Sequence, residues 1–318
     1  MKLVKASFEI VDQQPGLQGI MEQIEFAGRT CYKSEPIYEY LVGNKVFTQE
    51  EFDVVKGQIG EEVFVKRSKT AEAFVQRMMD SGHGAMLEHG TVYLSIRSST
   101  PSKNKLSFYG ENKYSKRKYI TKTNTFYITT NLRVLFENGL LDDLQYLCEP
   151  TEYHDRRVTT KFICDRGVSH EFVRHRVFSF AQESTRYCNY SKDKFDNALT
   201  FIIPNWLDIS EGRFSVDYDA LQDEYDYSIE SNKEYNIFLI SLAEVNKNYL
   251  NLIDLGWKPQ QARAVLPNSV KTELIMTGFT KDWKGFFRLR TPNSAHPQAR
   301  ELAIPLEKEF NESNLWTF

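Results

Sequence analysis

The sequence predicts a mixed α/β fold, because segments with strand periodicity alternate with segments of helical periodicity along its 318 residues. Thr91 to Ile96 alternates apolar and polar side chains, which is typical of a strand with one buried face. Tyr218 to Leu255 places apolar residues three and four positions apart, which predicts one or two long helices ending at Gly256. No linker and no internal repeat divides the chain, so we expect a single domain spanning residues 1–318.

The first third of the chain predicts two helices and two insertions. Leu17 to Ala27 has the pattern of an amphipathic helix that ends at Gly28, and Thr70 to Asp80 has the pattern of a second. Residues 41–66 mix charges with isolated apolar residues, which we interpret as an insertion. Residues 97–119 are rich in Ser, Lys, Asn and Gly, which predicts a loop or lid and a second insertion.

The middle of the chain predicts further strands and helices. Tyr127 to Thr129 and Val158 to Cys164 are strand candidates, and residues 131–139 and 140–148 between them predict two short helices. The segment from Ser169 to Arg176 then predicts a helix after a turn. Further along, Pro259 fits the first turn of a helix that also carries Arg263.

Composition excludes several classes of protein. The 40 basic and 43 acidic side chains give a formal charge of −3, which argues against general binding of nucleic acid. No apolar run approaches the roughly 20 residues that span a bilayer, and the first residues lack the apolar core of a signal peptide, so we expect a cytoplasmic protein without a membrane role. The four cysteines are widely spaced, which predicts free thiols at Cys31, Cys148, Cys164 and Cys188.

Chemistry-bearing side chains are densest between Arg174 and Tyr187, where fourteen residues contain three arginines, a histidine, two serines and an amide. An Arg-His-Arg triplet ending at Arg176 is followed after seven residues by Ser184 and then by Arg186. Guanidinium groups bind phosphate and carbonyl oxygens in pairs, so the cluster suits a planar, phosphorylated ligand. Neither a Gly-x-Gly-x-x-Gly fingerprint nor a Walker loop is present to hold such a ligand instead.

This spacing resembles the signature of the flavin-dependent thymidylate synthases. Four more blocks of that family stand in the same order, and the resemblance extends from about Ile20 to Glu309 apart from the two insertions. It implies the family's fold, a central mixed sheet packed with long helices, and a homotetramer with sites shared between subunits. The additional blocks are Ala27 to Tyr32, Leu87 to Thr91, Ala262 to Pro267, and Phe287 to Arg290 leading to Ala295 to Gln298.

The resemblance implies two sets of contacts. In the family, Ser184 and the backbone from Gln182 to Arg186 donate hydrogen bonds to the phosphate of dUMP, and Arg263 is a second phosphate clamp. The residues implied to contact FAD are Thr91, His89, Arg174, His175, Arg176 and Gln182. The residues implied to contact the nucleotide are Glu171, Arg174, Gln182, Glu183, Ser184, Thr185, Arg186, Arg263 and Arg290.

Arg290 is the implied catalytic residue. A guanidinium beside the uracil N3 and carbonyl oxygens favours the ionised ring and makes C5 more nucleophilic. The implied reaction is methylation of dUMP to dTMP, with methylenetetrahydrofolate as carbon donor, FAD as relay of the one-carbon unit and hydride, and NADPH as reductant. The competing interpretation is that Arg288 and Arg290 lie on an exposed helix face.

Three positions depart from the family pattern. Glu171 stands where many relatives carry Gln, so it either pairs with an arginine or changes the nucleotide contact. Phe279 to Lys281 replaces an Asn-x-Arg flavin contact, and Gly285 stands where Asn or His is common. Either Phe279 stacks on a ring, or another segment supplies the missing polar groups.

Two other functions and two structural interpretations stay open at this point. A related flavin-dependent hydroxymethylation of a pyrimidine nucleotide is motivated by Glu171 and Phe279. A nucleic-acid-binding protein could use the same arginines with Tyr187 and Tyr190 as stacking residues, although the net acidity argues against it. His89 could equally be a structural hydrogen-bonding residue. No metal site is predicted, because His83, His154, His170 and His296 lack ligand spacing.

Overall fold

The computed structural model describes residues 1–43, 45–58, 64–99, 103–215 and 233–318. Its strands are β1 (Lys2–Val4), β2 (Ser7–Val11), β3 (Tyr38–Val42), β4 (Lys45–Thr48), β5 (Phe64–Ser68), β6 (Thr91–Arg97), β7 (Lys116–Ile120), β8 (Thr125–Asn131), β9 (Arg157–Asp165), β10 (Ser179–Gln182), β11 (Thr200–Ile202), β12 (Gly212–Arg213) and β13 (Lys271–Phe279).

Helices lie between and after these strands. They are α1 (Gly16–Tyr32), α2 (Gln49–Val55), α3 (Ala71–Asp80), α4 (Gly84–Leu87), α5 (Lys103–Glu111), α6 (Leu132–Glu137), α7 (Arg166–Phe172), α8 (Lys233–Asp254), α9 (Pro259–Ala262), α10 (Thr280–Arg290) and α11 (Pro297–Glu312). Short 3₁₀ turns cover Lys56–Gln58, Leu141–Tyr146, Asp193–Phe195 and Arg263–Val265.

The sheet that positions the candidate site has four strands in the order β10-β13-β9-β2, and every neighbouring pair is antiparallel. The predicted mixed α/β class is confirmed. Parallel pairing, however, lies outside this sheet, between β1 and β11 of a smaller three-stranded sheet. The strands predicted from Thr91, Tyr127 and Val158 onward are confirmed as β6, β8 and β9.

The two faces of this sheet bury different side chains, because alternate residues of a strand point to opposite sides. Leu274 and Met276 of β13 point to a core that α7, α10 and α11 fill with aromatic rings. Ile275 points to the other side, where it packs with Ala27 of α1. The largest fully buried rings of the first face are Trp283, Phe162, Phe172, Phe286, Phe287 and Phe310.

Helix α1 differs from its prediction, because it continues through Gly28 and ends at Tyr32. A Cβ on Gly28 would lie 2.4 Å from a ring carbon of Phe74, so glycine here permits close packing of α1 on α3. Lys33, with a positive φ of 51°, ends the helix instead. Arg29 therefore lies in the last turn of α1 rather than beyond it.

The two predicted insertions contain regular structure. Residues 38–68 contribute β3, β4 and β5 to a small antiparallel sheet, on which the ring of Phe52 stacks 4.1 Å from that of Tyr40. The prediction of a loop over 97–119 is wrong, because α5 and β7 lie there and β7 pairs with β8. Of the predicted long helix, 233–254 forms α8, and its part within 218–232 lies outside the described residues.

Candidate active site

The Arg-His-Arg triplet lies in a turn between α7 and β10, not in the predicted helix from Ser169 to Arg176. Helix α7 begins early, because Asp165 caps it by accepting a hydrogen bond from the Val168 amide at 2.6 Å. It ends at Phe172, and a turn closed by the His175 amide on the Phe172 carbonyl (3.1 Å) leads the chain toward β10. The turn leaves the side chains of Arg174 and Arg176 exposed.

Arg290, at the end of α10, is bound to residues more than a hundred positions earlier. Its Nε donates to Nε2 of His175 at 3.0 Å, and its Nη2 donates to the backbone carbonyl of Glu171 at 2.7 Å. Its Nη1 donates to Oε2 of the Glu171 carboxylate. Arg290 is therefore not on an exposed helix face, whereas Arg288 is exposed. Of the two possibilities for Glu171, pairing with an arginine is confirmed.

The charge states in this cluster follow from its burial and its arginines. Burial, together with the positive charges of Arg290 and Arg174, lowers the pKa of His175 to about 4. A neutral imidazole can accept the Arg290 hydrogen bond at Nε2, which an imidazolium cannot. Burial also lowers the pKa of Arg290, and Glu171 opposes that shift. The guanidinium is held by one carboxylate, one carbonyl and one neutral ring.

The Ser184 turn follows the other end of β10. Ser184 Oγ accepts a hydrogen bond from the Arg186 amide at 3.3 Å, and the exposed Arg186 guanidinium lies 5.3 Å from the ring centroid of Tyr187. The Glu183 amide donates to the Glu273 carbonyl, and the Ser184 amide donates to the Cys31 carbonyl. These two amides donate within the fold, and the phosphate contact predicted for Ser184 and the backbone from Gln182 to Arg186 stays a prediction.

Beneath this turn lies a buried network of charges. Glu183 Oε2 accepts from Lys271 at 2.8 Å, and its Oε1 accepts from the Tyr190 hydroxyl at 3.0 Å. Lys271 also donates to Glu273 at 2.8 Å, and Glu273 additionally pairs with Lys33 and Lys161. The Glu183 carboxylate and the Tyr190 ring are both buried in this network, and the nucleotide contact of Glu183 stays a prediction. The network instead supports the chain segment that carries Ser184.

The lysines set the ionisation of this network. Burial by itself would raise the pKa of Glu273, but Lys271 and Lys33 outweigh burial and lower it to about 2. Burial raises the pKa of Tyr190 well above its usual range, and the negative charge of Glu183 raises it further. The Glu273 carboxylate is therefore ionised and the phenol is protonated across the physiological pH range.

The other predicted residues fall into two groups. Gln182 is half-buried, and its Nε2 donates to Ser169 Oγ at 2.8 Å and to Thr272 Oγ1 at 3.2 Å, which ties β10 to α7 and β13. Thr185 is buried in the Ser184 turn. Arg263 is exposed after α9, and its neighbour Ala262 shares a buried cluster with Cys188 and Tyr190. The Arg263 turn therefore packs beside the segment that follows Ser184.

His89 and Thr91 lie inside the protein. His89 is fully buried, its Nδ1 lies 2.8 Å from Thr277 Oγ1, and burial with the nearby charge of Arg157 lowers its pKa to about 3. Thr91 is also buried, and its Oγ1 accepts from Arg157 at 3.0 Å. The structural interpretation of His89 thus agrees with its placement, and the flavin contacts of both residues stay predictions.

Sequence reasoning missed Arg157, which neighbours both of these residues. Its Nη2 donates to the Glu88 carbonyl at 3.0 Å, so its guanidinium is held by neutral oxygens. Arg157 also lines a cavity of about 300 Å³ that Arg176 reaches from the signature turn. Arg156 and Arg157 are both half-buried, and the local sequence carries no signal that Arg157 lines a cavity.

The described parts of the chain offer no site for a metal ion, because no three or more of their His, Cys, Asp or Glu side chains are arranged to hold one. No described helix is both long enough and apolar enough to cross a bilayer. The four cysteines are free thiols, as the sequence predicts.

Comparison with known proteins gives sequence matches along this chain. The family model described as thymidylate synthase complementing protein matches residues 154–313. The flavin-dependent thymidylate synthase of Corynebacterium aurimucosum is 32% identical over 299 residues, which cover 92% of this chain and 76% of the relative. The enzyme of the same name from Pyrococcus furiosus is 30% identical over 148 residues, which cover 46% of this chain and 51% of the relative. The match thus spans about half the length of the Pyrococcus relative.

Solved structures also resemble this chain, at low similarity. Thymidylate synthase X from Helicobacter pylori with FAD and dUMP has 20% identity and a TM-score of 0.35, covering 50% of this chain and 71% of that one. A UMP/dUMP methylase from Streptomyces cacaoi bound with 5-Br UMP has 14% identity and a TM-score of 0.40, covering 98% and 92%. The sequence matches show that the chain belongs to the flavin-dependent thymidylate synthase family.

Proposed function

We propose that this chain methylates dUMP to dTMP, with methylenetetrahydrofolate as the carbon donor, FAD as the flavin and NADPH as the reductant. The observation that carries the proposal is the position of Arg290, whose guanidinium is fixed to Glu171 and His175 of the signature region. Membership in the family supports the reaction class.

Arg290 retains capacity to act on a pyrimidine. A guanidinium has five N–H donors, and the described residues accept three of them. Two donors are left to face the uracil carbonyl and N3, where the positive charge stabilises the ionised ring. That stabilisation increases electron density at C5. The neutral His175 and the Glu171 carbonyl fix the direction of the guanidinium before the substrate arrives.

The residues present fit a flavin that carries phosphate groups. Arg174 and Arg176 offer exposed positive charges on either side of His175, and a cavity adjoins Arg176. Guanidinium groups bind phosphate oxygens in pairs. When bound, FAD supplies the transfer of the one-carbon unit and of the hydride. The chain itself binds and orients the reactants and polarises the uracil.

We further propose that the active form is a homotetramer with shared sites. Glu171, His175 and Arg290 lie at the end of β10 where the strand begins, whereas Ser184 and Arg186 follow its other end. The strand alone separates the two turns by roughly 13 Å, at about 3.3 Å per residue. Contacts predicted for one nucleotide are thus divided between the two ends of one strand. A second copy that brings its Ser184 turn to the Arg290 cluster would complete the site.

The first experiment measures release of tritium from dUMP labelled at C5. The full-length protein is supplied with FAD, NADPH and methylenetetrahydrofolate, and folate is omitted from the control. We expect release that requires folate and yields dTMP. Absence of release from folded, flavin-loaded protein would overturn the proposed reaction.

Shared sites are tested by complementation. Arg290→Ala and Arg186→Ala variants should each be inactive, because each damages one half of every site. If the halves come from different subunits, co-expression of the two variants produces mixed oligomers in which some sites receive two intact halves. With equal amounts of the two variants and random pairing of subunits, activity should return to roughly a quarter of wild type. Unrestored activity would show that each chain builds its own site.

Hydroxymethylation is a second candidate, and the observation that favours it is the Glu171 carboxylate at the position where many relatives carry Gln. A carboxylate near the pyrimidine could hold a water molecule that a glutamine side chain would orient differently. The mass of the nucleotide product separates the two reactions, because the hydroxymethylated product is heavier by one oxygen atom.

A further inference from the structure

The cavity beside Arg176 has a positive charge that is unusual for this acidic chain. Four cationic side chains line it, against the single carboxylate of Asp282. The cations come from three separate parts of the sequence, and the chain as a whole has a formal charge of −3. The cationic residues, here called the basic pocket, are Lys113, Lys116, Arg157 and Arg176.

Arg157 is the most constrained member of the basic pocket. Its hydrogen bonds go to Thr91 Oγ1 and to the Glu88 carbonyl, both of which are neutral. No carboxylate forms an ion pair with it among the described residues. Burial lowers its pKa to about 10, so the guanidinium keeps its charge at neutral pH. A half-buried cation whose hydrogen bonds go to neutral oxygens keeps its charge available to an anion.

An aromatic ring lies among these cations. The Lys116 ammonium is 5.5 Å and the Arg157 guanidinium is 5.6 Å from the centroid of Phe279. Phe279 is one of the residues that replace the family's polar flavin contact. Phe279 itself is buried and forms part of the pocket wall, while the cations around it suit the phosphates of a nucleotide.

Of the residues predicted from the family resemblance to contact FAD, one lines this pocket and another is bonded to a residue that lines it. Arg176 lines the pocket, and Thr91 is joined to Arg157 by a 3.0 Å hydrogen bond. The lysines, in contrast, belong to the segment predicted as an insertion. We propose that the basic pocket binds the pyrophosphate of FAD, and this inference rests on the proposed function. Lys113, Lys116 and Arg157 then supply the polar contacts that Phe279 to Lys281 does not provide.

The test titrates FAD and riboflavin into the flavin-free full-length protein and follows flavin fluorescence. Riboflavin has the same ring system but lacks phosphates. For the double variant Lys113→Ala/Lys116→Ala, we expect FAD binding to weaken roughly tenfold to hundredfold, because charge-assisted hydrogen bonds to the phosphates disappear. Riboflavin binding should change less than about twofold, since no phosphate is involved.

Two further variants guard against a trivial loss of structure. Lys118→Ala lies on the same strand β7 but outside the pocket, so FAD affinity should be unchanged. Asp282→Asn removes the pocket's carboxylate while keeping its size, so FAD should bind roughly threefold more tightly from reduced repulsion. A gain of affinity cannot come from misfolding.

The outcomes separate this proposal from the proposed function. If wild type binds FAD and the double variant binds it equally well, the pocket assignment fails and the flavin enzyme stands. If riboflavin and FAD weaken together, the lysines do not read the phosphates, and the assignment also fails. If the double variant loses NADPH affinity but keeps FAD affinity, the pocket belongs to the reductant. Wild type that binds no FAD overturns both proposals.

Discussion

Strand β10 has a charged cluster at each end, and the two clusters differ in burial. At one end Arg290 pairs with Glu171, whose side chain is 30% exposed. At the other end Lys271 pairs with Glu183, whose side chain is 1% exposed. Both are ion pairs between distant parts of the sequence. The Arg290 pair lies where a ligand can reach it, whereas the Lys271 pair is buried beneath the Ser184 turn.

This difference assigns different tasks to similar interactions. A buried carboxylate has lost its hydration, and its cation compensates for that loss. When the cation is removed, water does not rehydrate the buried carboxylate, so its charge is left uncompensated. A partly exposed pair contributes less to stability, because water can take over from either partner. We therefore expect the Lys271 end to determine stability and the Arg290 end to determine turnover, so that substitutions at the two ends should have separable effects.

The largest effect on stability is expected from Lys271→Met. Among the described residues, the change leaves the Glu183 carboxylate with only the Tyr190 hydroxyl as a partner, so the free energy of unfolding should fall by about 3–5 kcal/mol. Unfolding by urea at pH 7 measures this. The matched control is Lys308→Met, whose ammonium forms an exposed pair with Glu312 and should change stability by less than about 0.5 kcal/mol. Equal effects of the two variants would contradict the contrast.

Arg290→Ala should instead remove turnover while leaving the fold intact. The loss of a preorganised cation at developing negative charge lowers kcat by roughly 10²- to 10³-fold. Tritium release from labelled dUMP measures it, with the thermal midpoint and the flavin spectrum recorded alongside. Arg288→Ala is the control, because Arg288 lies on the same helix with an exposed side chain and should keep near-normal turnover. Near-normal turnover in Arg290→Ala would remove Arg290 from the mechanism.

Sequence could predict the residues of the Arg290 cluster but not their bonds. Glu171, His175 and Arg290 were all singled out by the family pattern, yet the bonds join residues 115 and 119 positions apart. Local periodicity also extended the α7 helix too far, because helical spacing continues through Arg174 while the chain must turn to enter β10. Contacts between distant segments decide such details, and a single sequence does not reveal them.

The basic pocket was less accessible to prediction. Residues 97–119 have a loop-like composition, but pairing with β8 makes β7 a strand, so tertiary contacts override local preference. Arg157 lies outside the motif blocks and directly follows another arginine, Arg156. Its hydrogen bonds go to Thr91 and Glu88, which reach it from a different part of the chain. The sequence therefore located the signature but not the cations that join it.

A change of pH is expected to have a smaller effect on the stability of the fold. The folded protein lowers the pKa of His89 to about 3 and that of His175 to about 4, both below the ordinary 6.5. Each histidine then contributes stability that is fully present above pH 6.5 and is lost as pH falls toward its folded value, because the unfolded chain binds protons first. Stability from this source should thus decline from about pH 6.5 downward.

The measurement compares urea unfolding of wild type and His175→Gln at pH 7 and pH 5. The variant lacks one titrating group, so its stability should fall less between the two pH values. The subtraction is needed because burial raises the pKa of Glu301 to about 7, which has the opposite sign: its contribution is present at low pH and lost as pH rises. An equal fall in both proteins would show that His175 is not held neutral by the fold.

The smallest change concerns Glu171 itself and sharpens the contrast between the clusters. In Glu171→Gln the amide oxygen can still accept from Arg290, and the backbone carbonyl bond is untouched, so stability should change by less than about 1 kcal/mol. The guanidinium is no longer neutralised by a carboxylate, and the new amide can donate to a uracil carbonyl. We therefore expect dUMP to bind about threefold to tenfold more tightly, as measured by calorimetry. Glu307→Gln, on helix α11, is the control with the same change of charge and should leave dUMP affinity unchanged. Weaker binding by Glu171→Gln would mean that the carboxylate serves the nucleotide directly rather than through Arg290.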